Sequence, residues 1–438
     1  MLRLSVPMAA AQLALITMGL VDASILGHVS VTELGGLAMG RSISYSAMTV
    51  CMGVALALEP LASQAVGAGD PNLAWRALLS ALKTGLALWL PVVVLAQLGA
   101  FTLEPIGVSH ELAVRARAYM LGQAPGLAFY GAFLAGKTYL QAKDITRPTL
   151  IAAIVANLVN VVMCNLLVRG DDALALVHLP PVGLPRLGAL GAGVATSIAS
   201  LVLAATVLRA AWSVGDREGQ PDAADVPVRT VLRLGLPIGL QLLAEIGVFT
   251  LVAIIAGRLG TVALSAHQVA LGLASFTYMG ALGISAATSV RVGQAVGAGE
   301  SPRRAGFVGI GLGVVYMSIS AGVFALVPGP LIRLFTDDPQ VISLGIMLLR
   351  IAAVFQLFDG VQAIAAGALR GAGDVRFSFV TNVIAYWAIG LPIALALGFR
   401  VGWGAAGLWW GLTAGLVLVA FVLTARFYVL SRELVTRV

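Results

Sequence analysis

Residues 64–69 read Gln64-Ala65-Val66-Gly67-Ala68-Gly69, and the same six letters return as Gln294-Ala295-Val296-Gly297-Ala298-Gly299. The copies stand 230 residues apart, and the same shift aligns Leu2-Arg3-Leu4 with Leu232-Arg233-Leu234, Pro7 with Pro237 and Gly27 with Gly257. Arg147 and Arg376 pair one position off that register. One structural unit is therefore predicted to occur twice, and the nature of the unit follows from what lies around the motif.

That surrounding sequence is apolar. Hydrophobic residues make up 59% of the 438 and charged residues only 11%, against about 25% in an ordinary soluble domain. Runs such as Pro148 to Val168, Leu187 to Leu208, Leu259 to Val290, Phe377 to Phe399 and Val401 to Ala425 hold no Asp, Glu, Lys or Arg. A helix of about 20 residues crosses the ~30 Å hydrocarbon layer. Lipid cannot satisfy free backbone N–H and C=O groups, and the alternation of a barrel strand is missing, so these runs read as helices. The fold class is all-α integral membrane, with 12 transmembrane helices expected at 5–27, 36–58, 78–103, 118–140, 148–168, 187–208, 235–257, 263–290, 305–332, 343–368, 377–399 and 402–425. Met1 to Gly27 lacks the short apolar core and A-x-A site of a secretory leader and reads as the first span.

Six spans per copy is an even number, so both copies enter the membrane in the same direction and the repeats are parallel. The expected organisation is an N-lobe at 1–208, a cytoplasmic linker at 209–233 carrying the polar run Asp216 to Asp222, and a C-lobe at 234–438. Of the 27 basic residues, eighteen fall on one side of the membrane and seven on the other, with Arg41 and Arg350 inside spans. The positive-inside rule then puts both termini in the cytoplasm, and the plasma (inner) membrane is the expected location. The net charge of +7 is spread over loops and makes no basic face, so no nucleic-acid partner is expected. Cys51 and Cys164 lie within apolar spans and read as buried thiols.

Ionisable groups deep in spans are costly, which makes each one a functional candidate. Asp22, Glu59, Glu245 and Asp359 qualify. Asp359 has Gln356 and Gln362 at helical spacing, and Glu245 has Gln241 one turn back, a donor set suited to a hard cation such as Na⁺. A structural pair with Arg350, or a helix–helix hydrogen bond, is the plain alternative for Asp359. Asn157, Asn160 and Thr196 could supply neutral oxygens around Asp22, or simply bond helix to helix. Glu59 precedes Pro60 near a helix end, where capping, gating and substrate contact are all open. His267 has no second His or Cys at ligand spacing, so no zinc site is expected. Gly131 to Thr138 fits the G-x-x-x-x-G-K-T pattern, but inside an apolar span and with Ala366 and Gly367 replacing Lys137 and Thr138 in the second copy, so nucleotide binding is not expected. No H-E-x-x-H or G-x-S-x-G motif is present and an enzyme is not expected.

The stretches Ala266-His267-Gln268-Val269-Ala270-Leu271, Val290-Arg291-Val292-Gly293-Gln294, Asp359-Gly360-Val361-Gln362, Gly367-Ala368-Leu369-Arg370-Gly371, Tyr386-Trp387 and Leu391-Pro392 resemble the multidrug and toxic compound extrusion (MATE) family, NorM-like branch. The resemblance covers nearly the whole chain. It implies two lobes around a central cavity and export of cationic or amphiphilic small molecules, driven by inward Na⁺ or H⁺ with no other cofactor. A monomer in contact with membrane lipid is expected. Residue by residue, it implies cation binding at Glu245 and Asp359, with Na⁺ as a possible metal, and ion coupling at Asp22. Gln268, His267 and Phe355 join the secondary contacts. Phe355 stands where some relatives carry tyrosine, and Asn160 where DinF-like relatives often carry aspartate. A lipid-linked precursor flippase of the same broader superfamily is the alternative, although no cluster of basic residues suited to pyrophosphate is evident.

Overall fold

The computed structural model describes residues 2–105, 107–175, 180–214 and 226–438, and they are helical with short connections. The order is α1 (Leu2–Gly27), α2 (Val31–Leu56), α3 (Leu58–Gly67), α4 (Pro71–Ala100), α5 (His110–Ala142), α6 (Arg147–Arg169), α7 (Asp171–Ala175) and α8 (Ala189–Val214). It continues with α9 (Val228–Arg258), α10 (Thr261–Gly297), α11 (Arg303–Leu326), α12 (Pro328–Arg333), α13 (Pro339–Gly371), α14 (Val375–Val383), α15 (Leu391–Leu395) and α16 (Gly404–Leu430). Eleven helical segments among the described residues are long and apolar enough to cross a membrane, counting Val31–Gly67 and Val375–Arg400 as one each. The predicted fourth span lies in α5, whose 33 residues fall short of that apolarity because its uncharged middle carries Tyr119, Gln123, Pro125 and Tyr130. The chain is a multi-pass membrane protein.

Most helices outrun the predicted spans. α10 is 37 residues long, well beyond the apolar run that located it, and α8 and α9 extend into the predicted linker from both sides. Charged ends such as Arg291 and Arg233 are compatible with helix once it leaves the hydrocarbon, so charge marks the bilayer edge and not the helix end. Asp216 to Asp222 lies outside the described residues.

Local sequence sets the boundaries. Asp70 and Asp338 cap α4 and α13, accepting from Leu73 N–H at 2.9 Å and Gln340 N–H at 2.8 Å, and each is followed by a proline that has no N–H to leave unpaired. The two copies of the hexapeptide end their helices alike: Gly69 and Gly299 both take φ +73°, a left-handed turn that glycine adopts without strain. Pro392 cannot donate to the helical ladder, and π-helical turns at Ile384–Gly390 and Ala396–Arg400 flank it, taking up the shifted register.

The chain forms two compact units. One gathers Met1–Gln12, Glu59–Gly69 and Leu240–Val438; the other gathers Leu13–Leu58 and Asp70–Gly239. In the first, a continuous core runs from Val248 through Phe355, Tyr386 and Trp409 to Phe427, and Leu4 and Met8 of α1 pack on Ala287 and Val290 of α10. In the second, α5 and α8 meet along Gly122, Gly126, Gly193 and Ser197, where an added methyl would strike the facing backbone or Ser197. Pro125 interrupts α5 at that point. The Ser197 hydroxyl takes up the slack, accepting from Gly126 N–H at 3.0 Å and donating to Gly122 C=O at 2.7 Å. Beyond the end of α6, Asp171 accepts from Leu184, Val182 and Gly183 N–H at 3.0 to 3.2 Å. These donors, Leu184 first, hold its carboxyl below the usual carboxylate range.

Candidate functional site

In the first unit, α9, α13 and the α14 end of the last hairpin bring the predicted C-lobe acids together. Gln362 Nε2 donates to Glu245 Oε1 at 3.0 Å. Glu245 and Asp359 lie close enough for their charges to interact, and Tyr386 sits within the influence of both. Asn382, only 1% exposed, approaches Glu245 while its Nδ2 stays outside hydrogen-bond geometry. No lysine or arginine makes an ion pair with either acid among the described residues, and Arg350 in particular does not pair with Asp359. The wall behind the acids is aromatic: Phe355 is packed edge-on against Phe249 at 6.1 Å and Trp409 at 5.6 Å.

The remaining C-lobe candidates separate. Gln362 is on the site. Gln356 is fully buried and neither amide atom has a partner. Gln241 is half-buried and Gln268 exposed. His267 is wholly buried, and its Nδ1 accepts from Trp409 Nε1–H at 3.1 Å, so it sits inside the aromatic core.

The second unit holds Asp22. It is 2% exposed, and its Oδ2 accepts from Thr196 Oγ1 at 2.9 Å. Asn160 and Cys164 approach the same carboxylate, yet Asp22 Oδ1 and both amide atoms of Asn160 lack a hydrogen-bond partner. Asn157 is not in this group: its Nδ2 bridges the backbone carbonyls of Ala14 at 2.7 Å and Ala153 at 2.8 Å, tying α6 to α1. Sequence reasoning missed Arg41. Its guanidinium lies over Gly19, one turn before Asp22, and attracts that carboxylate. Arg41 was visible as an unexplained charge within a span, the same signal that singled out the acids.

Glu59 belongs to the first unit, where Arg370 Nε donates to it at 2.6 Å. The next turn of α3 carries Gln64, whose Nε2 donates to Gly371 C=O at 3.0 Å and whose Oε1 accepts from Val438 N–H at 2.9 Å. The two hexapeptides interlock beside it. A methyl on Gly67 would meet the carbonyl of Gln294, and one on Gly297 would meet the carbonyl of Gln64. The Gly131 to Thr138 pattern is helical throughout, inside α5, and offers no phosphate-cradling loop.

This internal duplication decides the family. The MatE family matches residues 7–166 and again residues 237–396. The chain belongs to the MatE family. Both matches sit in the register of the repeated hexapeptide. Among MatE relatives, the chain is 35% identical to the probable multidrug resistance protein NorM of Pseudomonas aeruginosa, covering 97% of this chain and 88% of that protein. It is 36% identical to the probable NorM of Deinococcus radiodurans, over 99% and 95%. Its fold matches the Vibrio cholerae MATE transporter VcmN in the bent form, with a TM-score of 0.86 and 18% identity over 98% and 96% of the two chains. The eukaryotic MATE transporter AtDTX14 matches with a TM-score of 0.84 and 22% identity, over 98% and 96%. The all-helical fold with two six-helix repeats is thus that of MATE transporters.

Proposed function

We propose that this MatE protein is a secondary active multidrug exporter, releasing organic cations or amphiphilic compounds from the cell in exchange for inward Na⁺ or H⁺. One observation carries the reading. Glu245 and Asp359 share a largely apolar unit, interact with each other and form no ion pair with a cation among the described residues, and Arg370, whose charge reaches Glu245, is paired with Glu59. Two such carboxylates cannot both stay ionised without a mobile positive charge. A proton, Na⁺ or the cationic substrate can each supply it, and competition among them is exchange. Gln362, Asn382 and Tyr386 offer the neutral polar groups such a site needs, and the NorM names of the relatives agree with this reading.

Within it, the halves 1–208 and 234–438 alternate access by moving as lobes, the 209–233 linker and both termini are cytoplasmic, and the protein works in the plasma membrane as a monomer. Asp22, with Arg41 nearby, forms a second ion-responsive carboxylate.

The test is uptake of a labelled cationic dye into proteoliposomes under separately imposed Na⁺ and H⁺ gradients. Flux is expected under at least one gradient, with loss in Asp359→Asn and Glu245→Gln. If the acids share one ion, the double variant loses little more than either single one. Wild-type flux in correctly inserted Asp359→Asn and Glu245→Gln would sink the C-lobe site; flux under neither gradient would favour the flippase.

A further inference from the structure

The other charge within a span, Arg350, belongs to none of these sites. It precedes Asp359 by nine residues in α13, a separation of about 180° around a helix, so it projects from the opposite side. Ser343, Met347, Arg350 and Val354 form one exposed stripe there. Arg350 has no ion pair, hydrogen bond or ring contact among the described residues.

It opens into a groove of about 840 Å³ lined by Ser343, Met347, Arg350, Trp403, Ala406 and Trp410, among others. No lining residue is acidic. Arginine and tryptophan only donate hydrogen bonds, and the indole N–H groups of Trp403 and Trp410, residues 53% and 39% exposed, have no acceptor among the described residues. Trp403 stands at the start of α16, and Arg350 lies about 16 Å along α13 from Pro339, so the groove runs from the membrane boundary into the apolar zone. Tryptophan favours that boundary. Apart from Ser343, the rest of the lining, with Ile346 and Ile351, is apolar.

We infer that this groove seats an anionic phospholipid, its phosphodiester on Arg350 and the two indoles and its acyl chain along Met347 and Ile351. An unpaired guanidinium at membrane depth calls for an anion, and the apolar wall selects one that comes with a hydrocarbon tail. The absence of any carboxylate leaves no partner for the ammonium of a zwitterionic lipid, which sets the preference between headgroups.

The full chain, purified in detergent, is titrated with dioleoylphosphatidylglycerol or dioleoylphosphatidylcholine and retained lipid is counted by native mass spectrometry. Retention of phosphatidylglycerol is expected to exceed that of phosphatidylcholine and to weaken about tenfold in Arg350→Gln, a loss of about 1.4 kcal/mol. Arg350→Lys should keep most of it, and millimolar inorganic phosphate should not compete. Equal retention of the two lipids, unchanged retention in Arg350→Gln, or displacement by free phosphate overturns the proposal. Should Arg350→Gln fold poorly, brominated phosphatidylglycerol must quench wild-type tryptophan fluorescence more than brominated phosphatidylcholine does, and that difference must shrink in Trp410→Phe; no difference overturns it as well.

Discussion

Arg370 Nε donates to Glu59 Oε2 across 2.6 Å, joining residues 311 apart in the sequence, with the carboxylate side chain 3% exposed and the guanidinium 17%. The pair fixes α3 against the end of α13, where Gln64 and Gly371 add a second tie.

Removing one partner of a buried ion pair strands the other charge, which costs about 3–5 kcal/mol in soluble proteins. Glu59→Ala and Arg370→Ala are each expected to lower the thermal midpoint in detergent by several degrees. The double variant should be less destabilised than the sum of the two, because the stranded charge is gone. Simple additivity in that cycle would show that the pair contributes no coupling.

Gly67→Ala and Gly297→Ala test the interlocked hexapeptides. Either methyl would run into a backbone carbonyl, which cannot rotate away as a side chain can. Each variant is expected to disfavour the conformation described here and to slow transport at least about tenfold, the equivalent of about 1.4 kcal/mol. Gly311→Ala, with open space at its Cβ, serves as the control and should transport normally. The check is dye flux in proteoliposomes, with cysteine accessibility near Gly67 as the conformational readout.

Gln356 offers a different test. Its buried amide has no partner on either atom, and an unsatisfied polar group costs about 1–3 kcal/mol. Gln356→Leu is expected to leave the protein as stable as wild type or more so, while weakening the ion dependence of transport. If instead it melts early with ion dependence intact, the glutamine is part of the packing and not of the site.

The last prediction is one of pH. Asp171 has a folded-state pKa below its unfolded value near 3.9. The stability it lends to the Val182–Leu184 backbone is therefore fully present above the unfolded value and is lost as pH falls through the folded one. Proteolysis or hydrogen exchange of that loop should accelerate only in this acid window, and Asp171→Asn should show the faster exchange already at neutral pH. Identical protection in Asp171→Asn at pH 7 would remove the carboxylate from the account.

Much of this architecture is legible in the letters, for a physical reason. The bilayer excludes everything except helices of a set minimum length, and a sequence repeated at a fixed offset must repeat its fold, so span count and duplication follow from hydropathy and self-comparison alone. Helix ends do not follow, because past the hydrocarbon edge a charged residue no longer opposes helix: hence the extra turns of α8, α9 and α10. Partners of charges are harder still. Glu59, Asp22 and Arg41 each announce themselves by their cost in a span, but which residue meets which depends on packing between segments far apart in the chain. Asn157 and Asn160 differ by three positions on α6, yet one clamps two backbones and the other approaches Asp22. Nothing in their local sequence distinguishes them.

The reciprocal contact of Gly67 with Gln294 and of Gly297 with Gln64 has the form of a twofold dimer interface, in which patch i meets patch j and j meets i. Two separate half-length chains meeting about a dyad would make the same contact twice with identical residues. Here both halves are written in one polypeptide, and the six residues on either side are still the same. A substitution in one copy is therefore felt by the other copy's backbone, so the two hexapeptides hold each other to a common sequence.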